Sequence, residues 1–276
     1  MNQAVASEDS GSVSHSVCKL ITALGEHSTQ YLAAHLNETN VQKFMEVALG
    51  YTGFPGWYGI DEEESEMVLP FWYLLEEALL DADYVGDQNG ELWGVAKAIY
   101  LQLVRILQRK VTWPAEPGWA KDQRDKFSNY RRDVGDALIN AYYVLRDEML
   151  RELVEPLVER LANEPVDWEC VEATLHNIKA IQEALPVDPN PSLATLFGPR
   201  VLGRLPRAGT HRPVRARGHP LETTAIAWVL KLPPTAQLWP SRVPTRERVR
   251  AYYWTLSAMS SPRLKSPPYA EMQPGR

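Results

Sequence analysis

The chain has 276 residues, of which 45% are hydrophobic and nine are Trp, so it contains enough apolar material for one large or two small folded domains. No stretch reaches the roughly 18 to 20 uninterrupted apolar residues of a membrane span, and residues 1–16 are too polar for a signal peptide, which predicts a soluble intracellular protein. The net charge of −6 hides an asymmetry: residues 1–196 contain 15 Lys/Arg and 32 Asp/Glu, whereas residues 197–276 contain 14 and 3.

Apolar residues recur at helical spacing in successive segments, and no segment alternates as a strand does. The predicted helices are marked in chain order by Val17 to Leu32, Val41 to Leu49, Phe71 to Leu79, Leu92 to Leu107, Phe127 to Met149, Leu153 to Leu161, Trp168 to Leu185 and Leu193 to Leu205. Pro156 is expected to kink or to start the sixth helix.

Successive helices are expected to form antiparallel pairs. The pairs start near residues 17, 62, 121 and 168, about 45, 59 and 47 residues apart, which brackets the roughly 40 to 47 residues of HEAT or armadillo units once one long loop is allowed. Each pair has an apolar face that it cannot bury alone, so neighbouring pairs must stack. The sequence therefore predicts an all-α solenoid of about four helix pairs.

A Gly/Pro-rich connector joins the first two pairs at residues 50–59, with the sequence GYTGFPGWYG. We expect this connector to end one helix and to pack Phe54, Trp57 and Tyr58 against adjacent helices. Its glycine spacing fits neither GxxxxGK[ST] nor GxGxxG, which argues against a phosphate-binding loop. Asp61, with the acidic residues behind it, is expected to cap the helix that follows.

Acidic residues follow the connector, at Asp61, Glu62, Glu63, Glu64 and Glu66. Because carboxylates are favourable near a helix N-terminus, a cap and a solvated face explain them. The alternative is an acidic rim that attracts basic segments of partner proteins.

The runs from Leu49 to Leu80 and from Phe127 to Leu145 resemble the importin-thirteen and transportin-three branch of the importin-beta superfamily. The similarity extends from about Val17 to Arg212. The matched part of the chain resembles an internal section of a longer receptor. The resemblance implies a HEAT-repeat nuclear transport receptor of nucleus and cytoplasm. Its implied partners are cargo proteins, Ran-GTP and phenylalanine-glycine nucleoporins, with Ran binding expected to be weak or absent in this slice. A helical-repeat scaffold without a transport role is the alternative.

Motifs for catalysis and metal binding are missing from the sequence. Cys18 and Cys170 fit no zinc spacing and are expected to be reduced core residues. No HExxH or GxSxG motif occurs, so we predict no enzyme activity, no metal, no cofactor and no catalytic residue, although an all-α enzyme remains a third possibility. Asp133 is expected either to pair with an Arg of a neighbouring repeat or to face water.

The predicted domain organisation is a disordered N-terminus at 1–15, the solenoid at 16–206 and a poorly ordered Arg/Pro-rich tail at 207–276. Twelve of the 21 prolines follow Phe197, which disfavours long helices there. We hypothesise that the segment from about Pro213 onward is aberrant, from a reading-frame or exon-boundary error. A tail that contacts single-stranded RNA is the less favoured alternative. Its candidate contacts are Arg204, Arg207, Arg212, Arg215, Arg217, Tyr252, Tyr253 and Trp254.

Overall fold

The structure, a computed structural model, describes residues 2–81, 90–114, 118–163, 165–185 and 190–205, with side chains from residue 12 onward. Its elements are α1 (Asn2–His27), α2 (Thr29–Ala34), α3 (Thr39–Thr52), α4 (Glu64–Met67), α5 (Leu69–Leu80), α6 (Glu91–Lys110), α7 (Lys121–Leu145), α8 (Asp147–Ala162), α9 (Trp168–Ala180), a 3₁₀ turn (Gln182–Ala184) and α10 (Pro191–Leu196). No β-strand occurs in these ranges, which confirms the predicted all-α class.

The helices stack in two rows. One row runs from α1 and α2 through α5 and α7 to α9, and the other runs from α3 through α6 and α8 to α10. Sequential packing of this kind is what a helical repeat requires, because each pair covers the apolar face of the next. The α-solenoid of about four antiparallel pairs is thereby confirmed.

The core between the first two pairs is built around Trp72, which is fully buried in α5. Its indole Nε1 donates a hydrogen bond to Thr52 Oγ1 at 2.8 Å, and the Tyr100 hydroxyl donates to the Trp72 carbonyl oxygen at 2.8 Å. Each polar atom of these aromatic side chains therefore has a partner, so their burial carries no desolvation penalty from an unpaired group. Residues of α3, α5 and α6 are held together at this point.

Helix boundaries differ from the prediction where the backbone departs from helical geometry. The predicted fifth helix continues to Met149, but α7 ends at Leu145 because Arg146 has a φ of 52°, and Met149 belongs to α8. That boundary prediction is wrong. Pro156 lies inside α8 and does not start it. The helical spacing of apolar residues continues across the break at Arg146 because α7 and α8 both face the same core.

The first predicted helix divides at Ser28 into α1 and α2. The side of α1 that packs against the protein is formed by Cys18, Thr22 and Gly25. It is not the side that carries Val17, Leu20 and Leu24, from whose spacing the helix was predicted. A Cβ on Gly25 would lie 2.8 Å from the Phe71 ring, so α1 approaches α5 more closely than a larger residue would permit. The apolar stripe of α1 is left on the outside.

Both ends of the predicted organisation stay predictions. Helix α1 begins at Asn2, within the segment predicted to be disordered, while the tail 207–276 lies outside the described residues, as do all but one of its candidate RNA contacts. Within the ranges that the structure covers, no helix combines the length and the apolar character needed to cross a bilayer.

Candidate interaction surface

The connector between α3 and α4 is a closed loop held by its own side chains. Gly56 has a φ of 105° and Gly59 a φ of 74°, a region that residues with a Cβ rarely adopt. Asp61 Oδ2 accepts a hydrogen bond from the Trp57 backbone N–H at 2.9 Å, so Asp61 closes the loop. Of the acidic residues predicted to cap the following helix, Asp61 does not do so. Glu62 takes that role, because its carboxylate accepts from the Ser65 backbone N–H at 2.8 Å.

A buried lysine ties this connector to α6. Lys110 Nζ donates to Glu62 Oε1 at 2.6 Å, to the Phe54 carbonyl oxygen at 2.9 Å and to the Gly56 carbonyl oxygen at 2.8 Å. The side chains of Lys110 and Glu62 are 7% and 0% exposed. All three ammonium donors have acceptors, which is the condition under which a charge of this kind can be buried. The connector is thus a rigid part of the solenoid.

Tyr58 of the connector packs against a later helix, as predicted, whereas Trp57 reaches the segment that follows α6. Trp57 Nε1 donates to the Thr112 carbonyl oxygen at 3.2 Å, and the Tyr58 ring stacks on Tyr130 of α7 with centroids 4.6 Å apart. The Tyr58 hydroxyl also donates to Glu66. Since Tyr130 belongs to the third pair, the connector contacts that pair as well as joining the first two.

Gly56→Ala is expected to destabilise the protein by roughly 1–3 kcal/mol. The left-handed backbone is strained for alanine, and a Cβ at this position would lie 2.5 Å from Asp61 Cβ. Gly50→Ala is the matched control: Gly50 lies in α3 with nothing within 4 Å of a Cβ, so the substitution should stabilise by about 0.5–1 kcal/mol. Urea unfolding of both variants checks the opposite signs, and equal effects would contradict the backbone argument.

The acidic rim predicted after the connector does not form as a surface. Glu62 is 5% exposed and Glu64 is 7% exposed, and only Asp61 and Glu63 of this run are exposed. Glu62 is neutralised by Lys110, so it cannot attract a basic partner. The hypothesis of an acidic rim is wrong. The positions of these acidic residues in the sequence suggested an exposed helix, but they could not show that the connector folds over Glu62 and Glu64.

An open groove of about 440 Å³ lies between the connector and the C-terminal end of α6. Phe54, Trp57, Ile106 and Trp113 supply apolar walls, and Arg109 supplies an exposed positive charge. Cys170 also reaches the groove; burial, aided by the Asp167 carboxylate, raises the pKa of its thiol to about 11. At neutral pH it is therefore a thiol and a poor nucleophile.

The third and fourth pairs are joined by a second buried ion pair. Arg131 Nη2 of α7 donates to both carboxylate oxygens of Glu172 of α9, at 2.9 and 2.8 Å, and both residues are buried. Asp133 is exposed, which agrees with the alternative that it faces water. The ion pair between these repeats is formed by Arg131 and Glu172. Burial lowers the pKa of the adjacent His176 to about 3, with the Arg131 charge adding to the effect, so this imidazole is neutral at pH 7.

A row of four glutamates runs along α8 with helical spacing: Glu148, Glu152, Glu155 and Glu159. Lys97 Nζ lies 2.6 Å from Glu148, and Arg105 Nε lies 2.7 Å from Glu152, so α6 neutralises the first two. Glu155 and Glu159 are exposed and form no ion pair with other described residues. They border a recess of about 280 Å³ between α6 and α8.

Glu76 is a buried carboxyl group in α5. Burial, with a smaller contribution from Glu77, raises its pKa from 4.5 to about 7. Because the folded-state pKa lies above the unfolded value, Glu76 favours the folded state at low pH, and this contribution is lost as pH rises from about 4.5 to 7.

Glu76→Gln is therefore expected to raise the free energy of unfolding relative to the parent protein by roughly 1–3 kcal/mol at pH 8, with a much smaller gain at pH 5. Urea unfolding at the two pH values measures the difference. Glu46→Gln, an exposed glutamate on α3, serves as the control and should show no such pH dependence. A gain equal at both pH values would exclude titration of Glu76 as the cause.

The described residues contain no group of three or more His, Cys, Asp and Glu side chains arranged to hold a metal ion. Cys18 is buried, and its thiol donates to the Glu64 carbonyl oxygen at 3.6 Å. Burial also raises the pKa of this thiol.

Comparison with known proteins links this solenoid to one group. The chain is 30% identical over 209 residues to chicken importin-13 and 29% identical to human importin-13, and each match covers 73% of this chain. A fission yeast importin beta-like protein, kap111, is 24% identical over 153 residues, which is 54% of this chain and 15% of that protein. No protein-family profile matches.

A solved structure of importin-13 in its cytosolic state superposes on the chain with a TM-score of 0.54 and 28% identity, over 65% of this chain and 21% of that one. The chain spans about a fifth of the length of the curated relatives it matches: 22% of the chicken protein and 21% of the human protein.

Proposed function

We propose that this chain, which belongs to the importin-beta superfamily of nuclear transport receptors, acts as a cargo-binding section of such a receptor. The observation that carries the proposal is the match to importin-13, which extends over 209 residues in sequence and includes the stacking of successive helix pairs. Solenoids of this kind bind proteins on extended surfaces and not in a single pocket. No enzymatic role is part of the proposal.

The acidic row on α8 is the part of the described surface that best suits a basic cargo segment. Glu155 and Glu159 are exposed, and the part of the chain before residue 197 has a large excess of acidic over basic residues. Complementary charge accelerates encounter and selects partners, and its contribution falls with added salt. Lysine- and arginine-rich segments are accordingly the cargo class that we propose.

Ran-GTP and phenylalanine-glycine nucleoporins are the further partners that family membership suggests, with location in nucleus and cytoplasm. Since the chain spans about a fifth of its relatives, Ran binding by this section alone is expected to be weak. Transport activity is proposed for this section only as part of a longer receptor.

The test uses the purified chain and three probes: a fluorescent lysine- and arginine-rich peptide, a purified phenylalanine-glycine repeat segment, and Ran loaded with GTP or GDP. We expect the basic peptide to bind, and Glu155→Lys with Glu159→Lys to weaken its binding roughly 10-fold at low salt. Glu46→Lys with Asp136→Lys, at exposed positions on α3 and α7, gives the same change in net charge away from the row. This control pair should weaken binding much less.

Two outcomes would count against the proposal. Equal losses in both charge-reversal pairs would show that net charge matters and the acidic row does not. Failure of all three probes to bind would reject the transport role and favour the alternative, a helical-repeat scaffold whose partners lie outside nuclear transport. The scaffold alternative is supported by the same stacked helix pairs and by the groove beside the connector.

A further inference from the structure

The groove beside the connector differs in charge from the protein around it. Its lining includes Arg109 and Lys110 but no Asp or Glu, although acidic residues greatly outnumber basic ones in residues 1–196. Lys110 is neutralised by Glu62, whereas Arg109 is exposed and forms no ion pair with another residue that the structure describes. Carboxylates and phosphates are the groups that an unpaired guanidinium binds.

The aromatic wall of the groove is held in place by the protein itself. Trp57 Nε1 donates to the Thr112 carbonyl oxygen at 3.2 Å, and the Trp57 backbone N–H donates to Asp61 at 2.9 Å. The Trp57 ring also lies edge-on to Trp119, with centroids 6.1 Å apart. Trp57 is nevertheless 39% exposed. A partner that packs on this side chain therefore loses little free energy to ordering it.

The groove lies along the side of the helix array and not on an end face. Its lining comes from the connector after the first pair, from α6 of the second pair and from Cys170 of α9 in the fourth pair. Further repeats stack onto the ends of such an array and not between these elements. The volume of about 440 Å³ falls within the roughly 300–1,000 Å³ of sites that enclose a ligand. A large apolar side chain can therefore enter beside Arg109.

Two classes of partner combine negative charge with apolar surface. They are protein segments in which an acidic residue adjoins a large apolar one, and single-stranded nucleic acids, which are held by several cations along the row of phosphates. Among the described residues the groove offers one free cation, within a part of the chain that has 32 acidic and 15 basic residues, so a row of phosphates is repelled. A protein segment needs only one carboxylate at Arg109 and is therefore favoured.

We propose that this groove is a docking site for a protein segment in which an acidic residue adjoins a large apolar residue. The carboxylate pairs with the guanidinium of Arg109. The apolar side chain packs against Phe54, Trp57 and Trp113. The site would take a second kind of partner, opposite in charge to the lysine- and arginine-rich segments proposed for the acidic row on α8. Neither proposal depends on the other.

Fluorescence anisotropy of a dye-labelled peptide, GSGDLLGSG, with the purified full chain tests the docking. We expect saturable binding that Arg109→Glu weakens roughly 10-fold, because a carboxylate then faces the peptide carboxylate. Lys43→Glu makes the same change in charge at an exposed position of α3 outside the groove, and it should have little effect. A peptide with Asn in place of Asp should bind more weakly to the parent protein and should not respond to Arg109→Glu.

Cys170 gives a second readout at the groove itself. Its side chain lines the groove, while Cys18, the other of the two cysteines, is fully buried. Saturating peptide should slow the alkylation of Cys170 by N-ethylmaleimide severalfold, as followed by mass spectrometry, because access to the thiol is blocked. Circular dichroism of Arg109→Glu checks that this variant folds, and its affinity for the lysine- and arginine-rich peptide should not fall.

Four results would overturn the proposal. They are absence of saturable binding, equal losses in Arg109→Glu and Lys43→Glu, equal affinity for the Asp and Asn peptides, and unchanged alkylation of Cys170 under saturating peptide. A uridine-rich RNA oligonucleotide that protects Cys170 at lower concentration than the peptide would also reject a protein segment as the occupant.

Discussion

Lys110→Met is expected to lower the free energy of unfolding by roughly 3–5 kcal/mol. The substitution leaves the Glu62 carboxylate buried without its cation, and it removes the hydrogen bonds that hold the Phe54 and Gly56 carbonyl oxygens. The carboxylate side chain is fully buried, so water cannot replace the lost partner. Urea unfolding followed by circular dichroism measures the change.

Two variants separate the buried charge from the loss of a long side chain. Arg109→Met removes a neighbouring exposed cation from α6 and should change stability by less than about 0.5 kcal/mol. Lys110→Met combined with Glu62→Gln should recover a large part of the loss, because a neutral amide can still accept from the Ser65 backbone N–H. A double variant as unstable as Lys110→Met alone would mean that the uncompensated charge is not responsible.

Arg131→Met is expected to destabilise the contact between α7 and α9 by a similar amount, roughly 3–5 kcal/mol. Glu172 loses the Arg131 Nη2 donor that contacts both of its carboxylate oxygens, and it remains buried; the guanidinium also lies 5.4 Å from the centre of the Trp113 ring. Hydrogen exchange should show the largest loss of protection in α9, since this helix is attached to α7 through the ion pair.

The pH dependence of this variant follows from the carboxyl group. Burial already raises the pKa of Glu172 in the parent protein despite Arg131, and removal of the cation raises it further. A raised folded-state pKa favours folding at low pH and loses that contribution as pH rises, so Arg131→Met should be less harmful at pH 5 than at pH 8. Arg132→Met, an exposed neighbour on α7, is the control, and an equal loss in both variants would contradict this account.

These two ion pairs bear on the proposed function because each holds together elements that are far apart in the sequence. Lys110 locks the connector that joins the first and second pairs, and Arg131 joins the third to the fourth. In a solenoid, small rotations between neighbours add up along the array, so fixed contacts of this kind define the shape of a broad binding surface. Variants that fold but bind the basic peptide less well would indicate such a geometric effect.

The fold class, the approximate number of helix pairs and the family resemblance could all be predicted from the amino-acid sequence. Helical spacing is a local property, so residues such as Phe71 and Leu75, or Phe127 and Tyr130, reveal a helix without knowledge of its neighbours. The aromatic packing of the connector was also predictable, because Tyr58 next to Gly59 in a turn has few other places to bury its ring.

Which charges are buried and which apolar residues stay outside could not be predicted, because both depend on contacts between distant segments of the chain. Glu62 and Glu64 follow the pattern of a solvated acidic run, yet the connector folds over them and Lys110 neutralises Glu62. Leu20 and Leu24 follow the pattern of a core stripe, yet small residues on the opposite side of α1 make the contact with α5. Burial depends on which segments pack together, and these segments are far apart in the sequence. The periodicity of one segment does not show which other segment packs against it.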